Sequence, residues 1–135
     1  MYKRQALAGR AAETIVFGKN EITQCSINDI SYATNIVREM VTKYGFSVIG
    51  PVSLESDNDT LIGDGFIRNK SIIANNTYSK IDNEIINISK ISLQNSMNLI
   101  LKNRILLEKL VEILLNKETI ENKTFKKITF DLLKV

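Results

Sequence analysis

From Asn76 to Asn116 the chain carries neither glycine nor proline. Within that run Tyr78, Ile81, Ile85, Ile88, Leu99, Leu106, Leu110 and Ile113 fall on or near one helical stripe. A segment of that kind cannot be cut into short strands and tight turns, so a long helix is the first constraint on the fold. At 1.5 Å per residue it would extend roughly 60 Å if unbroken. A break in its polar middle, between Ser92 and Asn98, is therefore expected, and a long C-terminal helical hairpin is the predicted shape.

The rest of the chain agrees with a mainly α class. Pro51 is the only proline among 135 residues, six glycines provide the remaining punctuation, and 44% of the residues are hydrophobic, enough for one helical core. Leu7, Ala11, Ala12, Ile15 and Val16 recur at helical spacing and stop at Gly18, a natural residue for a helix C-terminus. A second amphipathic run holds Ile30, Ala33, Val37, Met40, Val41 and Tyr44, and closes at Gly45. Ser26 and Asp29 precede it with the spacing of a capping box, in which hydroxyl and carboxylate satisfy free amide groups. Phe46 to Asn75 reads as a connection of irregular structure, with an extended piece at Val52 to Leu54 and turns at Gly50-Pro51. A small apolar patch from Phe125, Ile128, Phe130 and Leu132 ends the chain.

Composition also limits function. Eighteen basic against fifteen acidic residues leave a net charge of +3, scattered along the chain, which does not make a nucleic-acid footprint. Cys25 is the single cysteine, so no intrachain disulfide can form. No apolar run approaches the length needed to span a membrane. The chain has no histidine, the commonest general base and a frequent zinc ligand, so catalysis by these residues alone is not expected. Asn, Ile and Lys, all encoded by AT-rich codons, fit an AT-rich genome such as that of an organelle.

Three stretches occur in unbroken order: LAGRAAETIVFG at residues 7 to 18, SINDISYATNIVREMVTKYGFSVIGPVSLE at residues 26 to 55, and LLEKLVEILLNKETIENKTF at residues 106 to 125. Together they resemble the peptidase domain of the FtsH family, membrane-anchored AAA+ zinc proteases. The resemblance implies a helical bundle of that type, with residues 6–135 forming its C-terminal part. Residues 1–5 match nothing expected upstream and look like an adaptor scar outside the fold.

In the family, two histidines of an HExxH helix and an aspartate from a TGASND-type segment hold the catalytic zinc, with the HExxH glutamate as general base. Asn28-Asp29 fall where that segment ends, so the resemblance carries the third zinc ligand onto Asp29. No catalytic residue is carried over, because HExxH is absent from the chain. Glu13 falls in the family's AAEE run and by resemblance orients a metal-bound histidine, while Thr14 replaces the second acidic residue. Arg10 can pair with Glu13 at i, i+3. Just before Asp29 the chain reads ITQCSIND, and Cys25 stands where the family's glycine is expected. Gly45, Gly50 and Pro51 match the family's YGMS…LGPV turn and have a structural role, as Glu118 and Thr119 do at a helix terminus.

The implied whole is a homo- or hetero-hexameric, membrane-anchored protease of the plastid thylakoid or bacterial inner membrane. It would hold one Zn2+ per subunit, bind ATP and Mg2+ in an upstream module, and degrade unfolded or membrane-protein substrates. Removal of the HExxH helix would expose apolar faces around Val16 and Val37. Two other readings remain open: a catalytically inactive helical module for oligomerisation, and a chaperone-like relative whose ring is active without the histidines.

Overall fold

The computed structural model describes residues 2–21, 23–54 and 74–133. Helices α1 (Tyr2–Ala6), α2 (Ala8–Val16), α3 (Ile27–Thr42), α4 (Asn75–Lys102), α5 (Arg104–Lys117) and α6 (Asn122–Leu133) follow in order. A 3-10 turn, Gln24–Ser26, leads into α3. There is no strand among the described residues, so the mainly α expectation holds. Much of the expected connection between α3 and α4 lies outside the described residues.

Helix α4 is the spine of the molecule, with α1, α2 and α3 all packed against it. Val37 and Val41 from α3 meet Ile81 and Ile85 from α4, and Ile49, Leu54 and Ile88 close over them. The spacing that makes this possible is the i, i+4 step on both helices, which stacks two side chains on one face. Leu7 and, in α2, Ala11 are buried as well. Val37 is completely buried, so of the two apolar faces expected to lie open only that at Val16, 53% exposed, does so. The correction has a simple cause: α4 covers Val37 from within this chain.

The residues expected to form a scar, 1–5, include most of α1, which packs against α3 and α4. The Ser96 hydroxyl donates to the Arg4 carbonyl at 2.8 Å and to the Ser92 carbonyl at 3.0 Å. Ser92 in turn donates to the Ile88 carbonyl at 2.7 Å. These two buried serines occupy the polar middle where a break was expected, and the helix runs straight through it. The Ser92 hydroxyl is satisfied within the helix itself and that of Ser96 is shared between the helix and α1, which lets both be buried. The break falls instead at Asn103, with φ −113 and ψ 27, where the side-chain amide donates to the Leu99 carbonyl at 2.8 Å.

Beyond Asn103 the character changes. Helix α5 has no buried residue, and it rests on α6 and on the end of α4. Arg104–Glu108 and Lys109–Glu112, each at 2.8 Å, lie along its exposed surface. Such pairs contribute about 0.2–0.5 kcal/mol each. Glu118 ends α5 in a left-handed conformation at φ 58, its N–H donating to the Leu114 carbonyl.

Two glycines define the exit from α3. Gly45 has φ +62 and Gly50 φ +110, and between them the chain reverses so that the Leu54 N–H donates to the Thr42 carbonyl at 2.6 Å. A Cβ on Gly45 would stand 2.7 Å from the Pro51 Cα and 3.0 Å from the Gly50 carbonyl oxygen, both backbone atoms that cannot rotate away. Gly45→Ala is expected to cost about 2–4 kcal/mol, the sum of left-handed strain and a forced backbone shift. Gly18, at φ +87 with nothing within 4 Å, is the matched control. Its alanine variant should lose only about 1–2 kcal/mol in urea denaturation, and equal losses at both positions would contradict the packing of the turn.

Candidate metal centre

Asp29 lies in the first turn of α3, where the helix dipole favours a negative charge. The side chain is exposed and makes no hydrogen bond to the described residues. It opens onto a cleft of about 410 Å³, lined also by Tyr2, Gln5, Ala6 and Tyr32. Helix α2 passes close by: the Asp29 Oδ2 stands 4.0 Å from where a Cβ on Gly9 would be. An alanine at Gly9 would make only ordinary van der Waals contact with the carboxylate.

The capping box expected from Ser26 and Asp29 does not form. Ser26 sits at φ −94, ψ 10, at the end of the 3-10 turn, and its side chain caps nothing. An N-cap residue normally takes an extended conformation to turn its oxygen toward the next amides, and the 3-10 lead-in prevents this. Thr23 does that work one turn earlier, its hydroxyl accepting from the Cys25 N–H at 3.4 Å. Cys25 is exposed and free.

Glu13 is held differently on its two oxygens. The Thr23 hydroxyl donates to Oε1 at 2.8 Å, which ties α2 to the turn that launches α3. Oε2 is buried and accepts no hydrogen bond, and Arg10 Nη1 stands 4.0 Å away, at the limit of an ion pair. A buried carboxylate oxygen with no donor is a costly arrangement that suits a group awaiting one, such as an imidazole N–H. The link between Thr23 and Glu13, ten residues apart, had no signal in the sequence.

A hydrolytic zinc needs three protein ligands and one open position. Among the described residues no three His, Cys, Asp or Glu side chains gather closely enough to hold a metal. The described residues do not by themselves make such a centre; among them Asp29 offers a carboxylate without a hydrogen bond, and Glu13 an acceptor oxygen that is not used. Gly45, Gly50 and Pro51 lie at the other end of α3 and only shape the turn there. No described helix is long and apolar enough to cross a membrane.

Comparison with known proteins assigns the chain. The pattern of Peptidase family M41 matches residues 3–128, a span that includes part of α1. The "ATP-dependent zinc metalloprotease FtsH" of Trieres chinensis is 36% identical over 124 residues, covering 90% of this chain and 19% of that protein. "ATP-dependent zinc metalloprotease FtsH 2" of Petrotoga mobilis is 43% identical over 124 residues, with the same coverage of 90% and 19%. The FtsH of Mesomycoplasma conjunctivae is 42% identical over 115 residues, 84% of this chain and 15% of that protein. The chain thus spans less than a quarter of the length of the curated relatives it matches. With a family pattern over nearly its whole length, and relatives that agree with one another, the chain belongs to peptidase family M41, of the FtsH type.

Proposed function

We propose that this chain is the C-terminal part of the peptidase domain of an ATP-dependent zinc metalloendopeptidase. Asp29 serves as the third zinc ligand and Glu13 as the acceptor that orients a zinc-bound histidine from elsewhere in the protein. The observation that carries the reading is the Asp29 carboxylate, exposed over a cleft and without a partner, at the position where the family resemblance requires a ligand. When bound, zinc polarises the scissile carbonyl and makes its bound water a nucleophile near neutral pH. This chain's own contribution is to fix one ligand on a rigid helix, anchor α2 to α3 through Thr23 and Glu13, and supply the α4 scaffold beneath both.

The same proposal extends to the whole protein. It is a membrane-anchored hexamer, with homo- or hetero-oligomeric rings, in the plastid thylakoid or the bacterial inner membrane. An ATPase module binding ATP and Mg2+ feeds it unfolded or membrane-protein substrates, and nucleic acid is not a partner. The relatives, both ATP-dependent zinc metalloproteases by name, support the zinc and the ATP dependence.

Substituting residues 3–128 of this chain for the matching segment of the Petrotoga mobilis relative tests the reading. The expected chimaera binds one zinc per subunit and degrades an unfolded protein only when ATP is supplied. A chimaera that hydrolyses ATP and assembles but holds no zinc would sink the protease reading and leave the inactive oligomerisation module in its place.

A further inference from the structure

Two hydrogen bonds run in series from the turn before α3 to the side chain of Glu13. The Cys25 N–H donates to the Thr23 Oγ1 at 3.4 Å, and the Thr23 hydroxyl donates to the Glu13 Oε1 at 2.8 Å. A hydroxyl has a single proton and an ionised carboxylate can only accept, so the direction of the second bond is fixed. The two oxygens of Glu13 are thereby made unequal. Oε1 is bound, while Oε2 is buried with no hydrogen-bond donor among the described residues.

Were the contact only a strap between α2 and the turn, the second oxygen would be better left in water, since burying an acceptor unpaired costs its full desolvation energy. Arg10 does not supply the missing bond, because its Nη1 stands 4.0 Å from Oε2. The last torsion of a glutamate side chain is soft and roughly two-fold, so an untied carboxylate would swing and interchange its oxygens. A hydrogen bond to the charged group at Oε1 removes that freedom. One oxygen is then left, in one place, to accept from a partner.

We propose that Thr23 is a positioning residue for the zinc centre: its hydroxyl holds Glu13 by Oε1, so that Oε2 is the oxygen left to accept from a zinc-bound histidine. The inference rests on the reading of Glu13 as that histidine's acceptor. Thr23 touches neither metal nor substrate and acts through Glu13. Its own side chain is restrained twice, by the branched Cβ and by the bond its Oγ1 accepts from Cys25. An exposed threonine in a turn thus sets the orientation of a carboxylate ten residues away.

The test uses the chimaera described above, with zinc affinity measured by competition against a chromogenic chelator and site geometry read from the absorption spectrum after cobalt substitution. Thr23→Val keeps the shape of the side chain and removes the hydroxyl; it is expected to weaken zinc binding about 3- to 10-fold and to change the cobalt spectrum. Thr23→Ser, which keeps the hydroxyl, should match the parent in both. Glu13→Ala should lose about 10- to 100-fold, and adding Thr23→Val to it should change nothing further. Unchanged affinity and spectrum in Thr23→Val, or equal losses in the valine and serine variants, would overturn the proposal. So would a Thr23→Val loss that persists in the Glu13→Ala background, since Thr23 would then act through the turn and not through Glu13. Failure of the underlying reading is distinguishable, because Glu13→Ala alone would then keep its zinc affinity.

Discussion

Asp29→Asn, introduced into the zinc-binding chimaera, should lower zinc affinity by more than about 100-fold, exceeding the effect of losing a group that merely orients a ligand. The substitution keeps the size and shape of the side chain and replaces a charged donor with a neutral amide, a poor zinc ligand. Its cost to the fold should be small. Asp29 is exposed and has no hydrogen bond or ion pair among the described residues, so its interaction with the α3 dipole, about 0.3–1 kcal/mol, is what is at stake. The pairing of a large loss in metal affinity with a near-normal unfolding curve is what marks a ligand. Zinc measured by atomic absorption after dialysis, beside urea denaturation of the same samples, provides both numbers. If the variant keeps its zinc, the third ligand lies elsewhere in the protein.

Ile81→Ala is expected to destabilise the chain by about 2–5 kcal/mol. Ile81 is 2% exposed and lies with Ile85 against Val37 and Val41, the cluster that joins α3 to α4. Domains of this size are stable by only about 5–15 kcal/mol in total, so one cavity here removes a large share. Ile86, on the same helix but 51% exposed, serves as the control, and its alanine variant should fall within about 0.5 kcal/mol of the parent. A loss at Ile81 no greater than at Ile86 would show that the α3–α4 contact is not what holds the molecule together.

Helix positions were legible from spacing because the same i, i+4 rule that marks an apolar stripe also makes the core. The ends and breaks were less legible. The serines at positions 92 and 96 looked like a polar interruption, since a one-letter reading cannot tell a solvated hydroxyl from one that returns its proton to its own helix. Asn103, which does end α4, looked like any other asparagine in an Asn-rich chain. Its side chain competes for the Leu99 carbonyl, and only the fold decides whether that competition succeeds. Ser26 and Asp29 had the letters of a capping box, but the 3-10 turn from Gln24 changes the backbone angle on which the motif depends.

The site divided in the same way. Asp29 and Glu13 were identified through the resemblance of LAGRAAETIVFG and of the Asn28-Asp29 run, and periodicity alone would have left them as surface carboxylates. Their different surroundings, one exposed and free, the other half-tied to Thr23, came only from the structure.

The contact between Ser96 and Arg4 joins residues 92 positions apart. A chain leaving the ribosome has α1 and α2 long before it has the second half of α4, so until then both lack the surface of α4 that packs against them. Short helices of five and nine residues do not persist unsupported. The contact of α1 and α2 with the second half of α4 can therefore form only after residue 96 and its neighbours have emerged, as one long-range event.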